Sequence, residues 1–294
     1  MIKNKINVDI SGQDPAKYQI TLGSGVLSTW QSWLGKYCSS KQVVIITDKI
    51  VEKLYASEFA KQLGHDGYKV LLLSIAPGEE SKVQNVKEYL ELEMLKAKYD
   101  RHTLLIAIGG GVIGDLSGFV AATYLRGIKY IQVPTTLLAM IDSSVGGKTA
   151  INTPYGKNLI GAFWQPQMVV MDIDLLASLP KVQLINGLVE AIKIFLTSDK
   201  EGFAYTKRHL DKILRHDMAK LQSVIRRAVS LKAHIVSEDE REENLRMILN
   251  FGHTIGHAIE KINDFKILHG YAVALGILVE AKIAEQLQIG RAHV

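Results

Sequence analysis

The feature that most constrains this chain is an apolar run that stops at three consecutive glycines. Residues 103–108 read as a buried strand, Gly109-Gly110-Gly111 interrupts it, and residues 112–123 carry helical spacing. Glycines let a backbone approach phosphate oxygens, and the helix start that follows offers free N–H groups and a positive dipole end. The pattern suits a nucleotide or phosphate, with a bare strand–helix turn as the lesser alternative. Gly109-Gly110-Gly111-Val112-Ile113-Gly114-Asp115 is not the G-x-G-x-x-G fingerprint, since position 110 is also Gly and the order downstream differs. Asp48 could bind a ribose hydroxyl, but it precedes the loop instead of following it by about 20 residues.

The same alternation surrounds the loop. Residues 43–48, 69–75, 130–133 and 168–171 read as strands, and 50–63 and 83–98 as helices. Such alternation predicts a parallel sheet covered on both faces, Rossmann-like without the fingerprint. Past Leu179-Pro180 strand signals disappear, Pro is absent and helical patterns continue. The expected division is an α/β domain over 1–178 and an all-α domain over 179–294.

Composition narrows the partners. Of 294 residues, 47% are apolar and 22% charged, enough for a real core. The net charge of +5 comes without any Lys/Arg block longer than a pair, which fits a basic site for an anionic small molecule better than a nucleic-acid surface. The single cysteine, Cys38, excludes an intramolecular disulfide and suits a reducing cytoplasm. Met1-Ile2-Lys3-Asn4-Lys5 is no apolar signal core, and the most apolar stretch, 271–279, is far shorter than the roughly 20 residues of a membrane span.

Two further stretches carry chemistry. Asp142-Ser143-Ser144-Val145-Gly146-Gly147-Lys148-Thr149 ends like a Walker A loop, but Asp142 stands where that motif requires Gly, so it is rejected. Lys148 and Asp142, with Lys157 and Asn158 downstream, are polar groups on glycine-bent turns that could equally be solvated. His253 and His257 lie four apart on one helical face with Glu260 after them, and His269 follows just ahead of another helix. Glu190 and Lys193 share a face of an apolar helix, where neither should be unpaired. Two histidines and a carboxylate leave an open position, the pattern of a catalytic zinc site. Thr254 replaces the glutamate of His-Glu-x-x-His, so there is no peptidase base.

These stretches together resemble the 3-dehydroquinate synthase family and, more broadly, the sugar-phosphate cyclases. The resemblance is carried by Pro77-Gly78-Glu79-Glu80-Ser81-Lys82, the 109–115 loop, Tyr124-Leu125-Arg126-Gly127, Pro134-Thr135-Thr136-Leu137-Leu138-Ala139, the 142–149 loop, Gly156-Lys157-Asn158-Leu159-Ile160-Gly161, and Arg246 with Leu249-Asn250-Phe251-Gly252-His253. It runs over residues 15–288. It implies a divalent metal, zinc or cobalt, on Glu190, His253 and His269, and moves His257 from ligand to acid/base or substrate residue. It implies NAD along Asp48, Glu79, Lys82, Gly110, Gly111, Asp115, Thr135, Thr136 and Ser178. The substrate, 3-deoxy-D-arabino-heptulosonate 7-phosphate, would meet Arg126, Asp142, Lys148, Lys157, Asn158, Lys193, Lys232, Arg246, Asn250 and His257. The implied reaction is transient oxidation by NAD, phosphate elimination, re-reduction and intramolecular aldol closure, with no net redox change.

A homodimer in the cytoplasm is also expected. Departures are Ile194-Phe195 where the family usually has Tyr-Gly, Ser178 where Thr is common, and an ending, Gly290-Arg291-Ala292-His293-Val294, unlike the family. Family members usually continue as helices carrying another substrate lysine, so open apolar surface over 270–284 and weak turnover are expected. Alternatives at this stage are a metal-dependent polyol dehydrogenase, another sugar-phosphate cyclase, or a chain that binds NAD and metal without turnover.

Overall fold

The computed structural model describes residues 3–10, 16–264 and 266–289, so the closing residues 290–294 lie outside the description. The chain opens with an antiparallel pair, β1 (Asn4–Ile10) and β2 (Ala16–Gly23), followed by α1 (Gln31–Tyr37). β3 (Gln42–Asp48) runs into a helix made of α2 (Lys49–Val51), a π-turn (Glu52–Ala56) and α3 (Ser57–His65). Then come β4 (Lys69–Ile75), α4 (Gln84–Lys96), β5 (Leu104–Gly109), α5 (Gly111–Thr123) and β6 (Lys129–Pro134). A hairpin of β7 (Lys148–Thr153) and β8 (Gly156–Phe163) precedes β9 (Met168–Asp172). The rest is helical: α6 (Lys181–Ser198), α7 (Lys200–Arg208), α8 (Leu210–Leu214), α9 (Met218–Glu238), α10 (His253–Ile262) and α11 (His269–Gln286).

The main sheet has the order β1-β2-β9-β6-β5-β3-β4, parallel throughout except for β1. Its central strands are buried along almost their whole length, which is why they read as continuous apolar runs and not as alternating ones. The antiparallel edge is an addition to the predicted sheet. Only Val8 and Ile10 of β1 are buried, so its pattern is too short to announce a strand.

The β7–β8 hairpin likewise replaces the turns expected at 148–158. Four successive residues of β8, Asn158 to Gly161, are exposed, and Gly and Asn interrupt its pattern. The hairpin lies against α5, where a Cβ at Gly118 would come 2.4 Å from Thr149 Cγ2.

One apolar layer joins the sheet edge to the helices: Val8, Ile10, Ile20 and Leu22 pack with Leu188 and Phe195 of α6 and Val224 and Val229 of α9. α11 buries Ala272, Val273 and Ile277 but leaves Leu275, Leu278, Val279 and Ile283 exposed, the open apolar surface expected over 270–284. No described helix is long and apolar enough to cross a membrane.

Candidate active site

Taken in chain order, the parallel strands β3, β4, β5, β6 and β9 are arranged 2-1-3-4-5. From β3 the chain moves to one side and from β5 to the other, so a crevice opens beyond the carboxyl ends of those two strands, where such sheets bind ligands. Asp48 ends β3 there and Gly109 ends β5. Gly110 is the N-cap of α5 and supplies no side-chain cap, which leaves the first N–H groups of a buried helix facing the crevice mouth. A Cβ at Gly110 would lie 3.2 Å from Thr136 Cγ2, and one at Gly111 would lie 3.1 Å from Ser143 Oγ. Thr135 Oγ1 is buried with no hydrogen-bond partner. A narrow cradle of open N–H groups with an unpaired buried hydroxyl beside it fits a dinucleotide pyrophosphate.

The other residues expected at the cofactor have partners of their own. Asp48 Oδ1 accepts from Ile50 N at 2.8 Å and Val51 N at 3.0 Å, capping its helix. Ser178 Oγ lies 2.6 Å from Tyr55 Oη, which ties it to the helix after β3. Thr136 Oγ1 accepts from Ala139 N. Buried Lys82 donates to Asp115 Oδ2 at 2.5 Å and to Asn158 Oδ1 at 2.6 Å, with Glu79 at 3.8 Å. Burial would lower this ammonium, but Asp115 and then Glu79 outweigh burial and raise it. Asn158, expected at the substrate, thus meets residues expected at the cofactor.

On the helical side, Glu190 of α6, His253 at the start of α10 and His269 at the start of α11 bring one ligand atom each within 4.8 Å of one another. Glu190 Oε1 lies 3.4 Å from His269 Nε2 and 3.9 Å from His253 Nε2. Glycines make the convergence possible. A Cβ at Gly187 would strike Leu138 N at 2.3 Å, at Gly270 Asn186 O at 2.1 Å, and at Gly276 Gly252 O at 2.0 Å. α6 therefore sits against the turn after β6, and α10 and α11 touch backbone to backbone.

Glu190 is fully buried, and neither of its oxygens has a well-aligned hydrogen bond, although Lys193 Nζ is 2.5 Å away. Burial would raise its carboxyl, but Lys193 and then His269 outweigh burial and bring it down to about 2. Burial pushes His253 down to about 4, helped by Lys193, so its ring is neutral. Burial would also lower His269, but the adjacent carboxylates of Glu190 and Glu260 push it up to about 10. The under-bonded buried carboxylate of Glu190, the neutral imidazole of His253, and His269, which sits between two carboxylates that favour a positive charge, form a donor set that fits a divalent cation.

Further cations are Lys232 and Arg246, both buried, and Lys148, about half exposed. Lys232 donates to Asp142 O at 2.7 Å and pairs with the Asp142 carboxylate. Burial would raise that carboxyl, but Lys232 and Lys193 hold it well below the usual carboxylate range. Arg246 donates to Glu240 O at 2.5 Å, and a Cβ at Gly146 would come 2.5 Å from its guanidinium. Burial, then the charges of Arg246 and Lys232, lower Lys148 to about 8. Lys148 pairs with Glu242, which also accepts from Asn250 Nδ2 at 2.5 Å.

Glu242 was missed in the sequence because it lies in an acidic run that reads as solvated surface. Half-buried Lys157 reaches Glu260 Oε1 at 3.2 Å. His257 lies with its ring 5.2 Å from that of His253, and burial lowers its pKa. Arg126 stands apart: it is exposed, has φ of 70°, and no described hydrogen bond or ion pair ties it to the cluster.

Two family models match the chain, 3-dehydroquinate synthase N-terminal over residues 72–186 and 3-dehydroquinate synthase C-terminal over 187–293. A 3-dehydroquinate synthase of Thermodesulfovibrio yellowstonii is 46% identical over 92% of this chain and 76% of that protein. One of Syntrophotalea carbinolica is 43% identical over 97% and 79%. Among solved structures, a 2-deoxy-scyllo-inosose synthase with carbaglucose-6-phosphate, NAD+ and Co2+ is 30% identical with a TM-score of 0.89, covering 97% of this chain and 76% of that one. A 2-epi-5-epi-valiolone synthase from Streptomyces hygroscopicus subsp. jinggangensis with NAD+ and Zn2+ is 27% identical at 0.86, covering 96% and 80%. An iron-containing alcohol dehydrogenase from Thermotoga maritima, 14% identical at 0.66 and covering 86% and 74%, shares the fold alone.

Proposed function

The chain belongs to the 3-dehydroquinate synthase family, and on that premise we propose how its residues divide the conversion of 3-deoxy-D-arabino-heptulosonate 7-phosphate to 3-dehydroquinate and phosphate. The cofactors are NAD and a divalent cation, cobalt or zinc. The observation that carries the reading is the meeting of Glu190, His253 and His269 in a chain that also buries the cations Lys193, Lys232 and Arg246. Contact supports one continuous site: a Cβ at Gly111 of the glycine turn would lie 3.1 Å from Ser143 Oγ, the residue after Asp142.

In this reading Glu190, His253 and His269 hold the cation, and Gly110, Gly111, Thr135 and Thr136 cradle NAD. When bound, NAD accepts a hydride and returns it, while the cation acts as a Lewis acid toward an alcohol oxygen. The rest falls to the chain's own groups. Lys193, Lys232, Arg246 and Lys148 bind the carboxylate, hydroxyl and phosphate oxygens of the substrate, charge-assisted bonds that are strongest out of water. Asp142 fixes Lys232 in place, and Glu242 does so for Lys148 and Asn250. His257, at the exposed edge of the cluster, is the imidazole placed to exchange a proton with the substrate. Loss of phosphate without net hydrolysis makes the enzyme a lyase.

The exposed Leu159, Ile160 and Phe163 of β8 support a homodimer, checked by sedimentation, and lone Cys38 supports a cytoplasmic setting. The decisive assay is phosphate release from the seven-carbon substrate with NADH absorbance followed in parallel. Many phosphates per NAD, with no steady absorbance rise, are expected. A one-to-one rise would instead identify a polyol dehydrogenase.

A further inference from the structure

Glu260 lies three residues after His257 on α10 and is almost wholly buried, 3% exposed. Its two oxygens face different halves of the molecule. Oε2 is 3.3 Å from His269 Nδ1, and Oε1 accepts from Lys157 Nζ at 3.2 Å. The other nitrogen of His269, Nε2, points at Glu190 Oε1, 3.4 Å away. An imidazole whose Nδ1–H is held by a carboxylate keeps its lone pair on Nε2, fixes its ring plane and is a stronger base toward a metal. Lys157 comes from β8, more than one hundred residues away in the chain, so a single carboxylate links a residue of the sheet half to a histidine of the helical half. A buried carboxylate between those two groups contributes position as well as charge.

Resting on Glu190, His253 and His269 as the cation's ligands, we propose that Glu260 is a positioning residue: it holds His269 in the tautomer whose Nε2 faces the cation, and through Lys157 it couples loading of the cation to placement of a negatively charged group of the substrate. His257, Glu260 and His269 also offer atoms within 4.8 Å of one another. A second cation there would need Nδ1 of His269 as a ligand, which the hydrogen bond to Glu260 excludes, so one cation per chain is expected.

The test measures cobalt and zinc affinity of the full chain by competition with a chromophoric chelator, with NAD affinity measured alongside. Glu260→Ala should weaken cation binding about 10–100-fold and leave NAD binding unchanged. Glu260→Gln keeps an acceptor for Nδ1–H, so it should recover most of the cation affinity. It should still raise KM for the phosphate substrate, because the ion pair between Glu260 and Lys157 that helps place the ammonium is gone. Undiminished cation affinity in Glu260→Ala overturns the proposal, as does equal loss in both variants with NAD binding intact, or a second cation per chain that Glu260→Ala removes. If the alanine variant loses NAD binding as well, the glutamine variant decides by the same criteria. Glu190→Gln serves as the control for the premise. Full cation affinity there overturns the ligand set and this proposal with it. A loss there without one in Glu260→Ala overturns this proposal alone.

Discussion

The two ends of the cleft are built by opposite means. At the cofactor end the working surface is backbone: the glycine turn after β5, the open start of α5 and the short turn after β6. At the proposed cation end it is side chains brought from α6, α9, α10, α11 and the 239–250 segment, most of them ionisable, with Glu190, Lys193, Lys232, Arg246 and Glu260 buried. A backbone surface fails when something is added to it. A surface of buried charges fails when something is taken away, because a lone buried charge costs far more than a paired one contributes. The difference yields tests in order of size.

The largest effect is expected from Glu190→Gln. With chelator present it leaves the Lys193 ammonium buried beside a neutral amide, so urea unfolding should show about 3–5 kcal/mol less stability. An unchanged midpoint would mean that the cation end is no more dependent on pairing than the cofactor end. Next comes Gly110→Val, which adds carbons against Thr136. It should weaken NAD binding by about 2 kcal/mol, roughly 30-fold, with cation affinity unchanged. Loss of both by titration calorimetry would break the separation of the two ends.

A third, smaller effect is one of pH. Lys148 is lowered to about 8, so the unliganded protein loses this cation as pH rises through that value, and binding a phosphate above it must take up a proton. KM for the phosphate substrate should climb above pH 8 by up to about tenfold per unit. Lys148→Arg, charged throughout, should flatten the rise, and a parallel rise in both would exclude Lys148 as its source. The smallest change is Tyr18→Phe. The buried Tyr18 hydroxyl accepts from Gly146 N at 3.2 Å, and its loss should cost about 1 kcal/mol in unfolding. No loss would show that Arg246 alone holds the Gly146 turn.

The same contrast explains what could be read from the sequence. The fold of the α/β half was legible because its strands are buried on both faces and its key turn is three glycines in a row. Strands β3, β4, β5, β6 and β9 fall within a residue or so of the stretches read from apolar runs. The antiparallel edge and the β7–β8 hairpin were not legible, because their exposed faces dilute any alternation.

The cation end could not be assembled from spacing. Read locally, His253, His257 and Glu260 form a stripe on one helix, and Glu190 stood out with Lys193 on an apolar helix, but only the family resemblance joined Glu190 to His253 and His269; it arrives from α6 through the close contact at Gly187. The structure brings both sets together, with His269 between them. Glu242 hid in a charged run, and Arg126 lies where no described contact explains it. The proposed division at residues 178 and 179 follows the loss of strands, yet the apolar layer runs straight across it.

The contact between Gly276 and the Gly252 carbonyl bears on anyone who sets out to stabilise this protein. Gly276 lies inside an eighteen-residue helix, and standard practice replaces such a glycine with alanine for a gain of about 1 kcal/mol. Here the added methyl has nowhere to go, since the new atom would sit 2.0 Å from a carbonyl oxygen. A library scored only on helix propensity would rank this substitution near the top, and a thermal screen should place it near the bottom. The position thus offers a cheap internal control for whether a stabilisation campaign is reading secondary structure or packing.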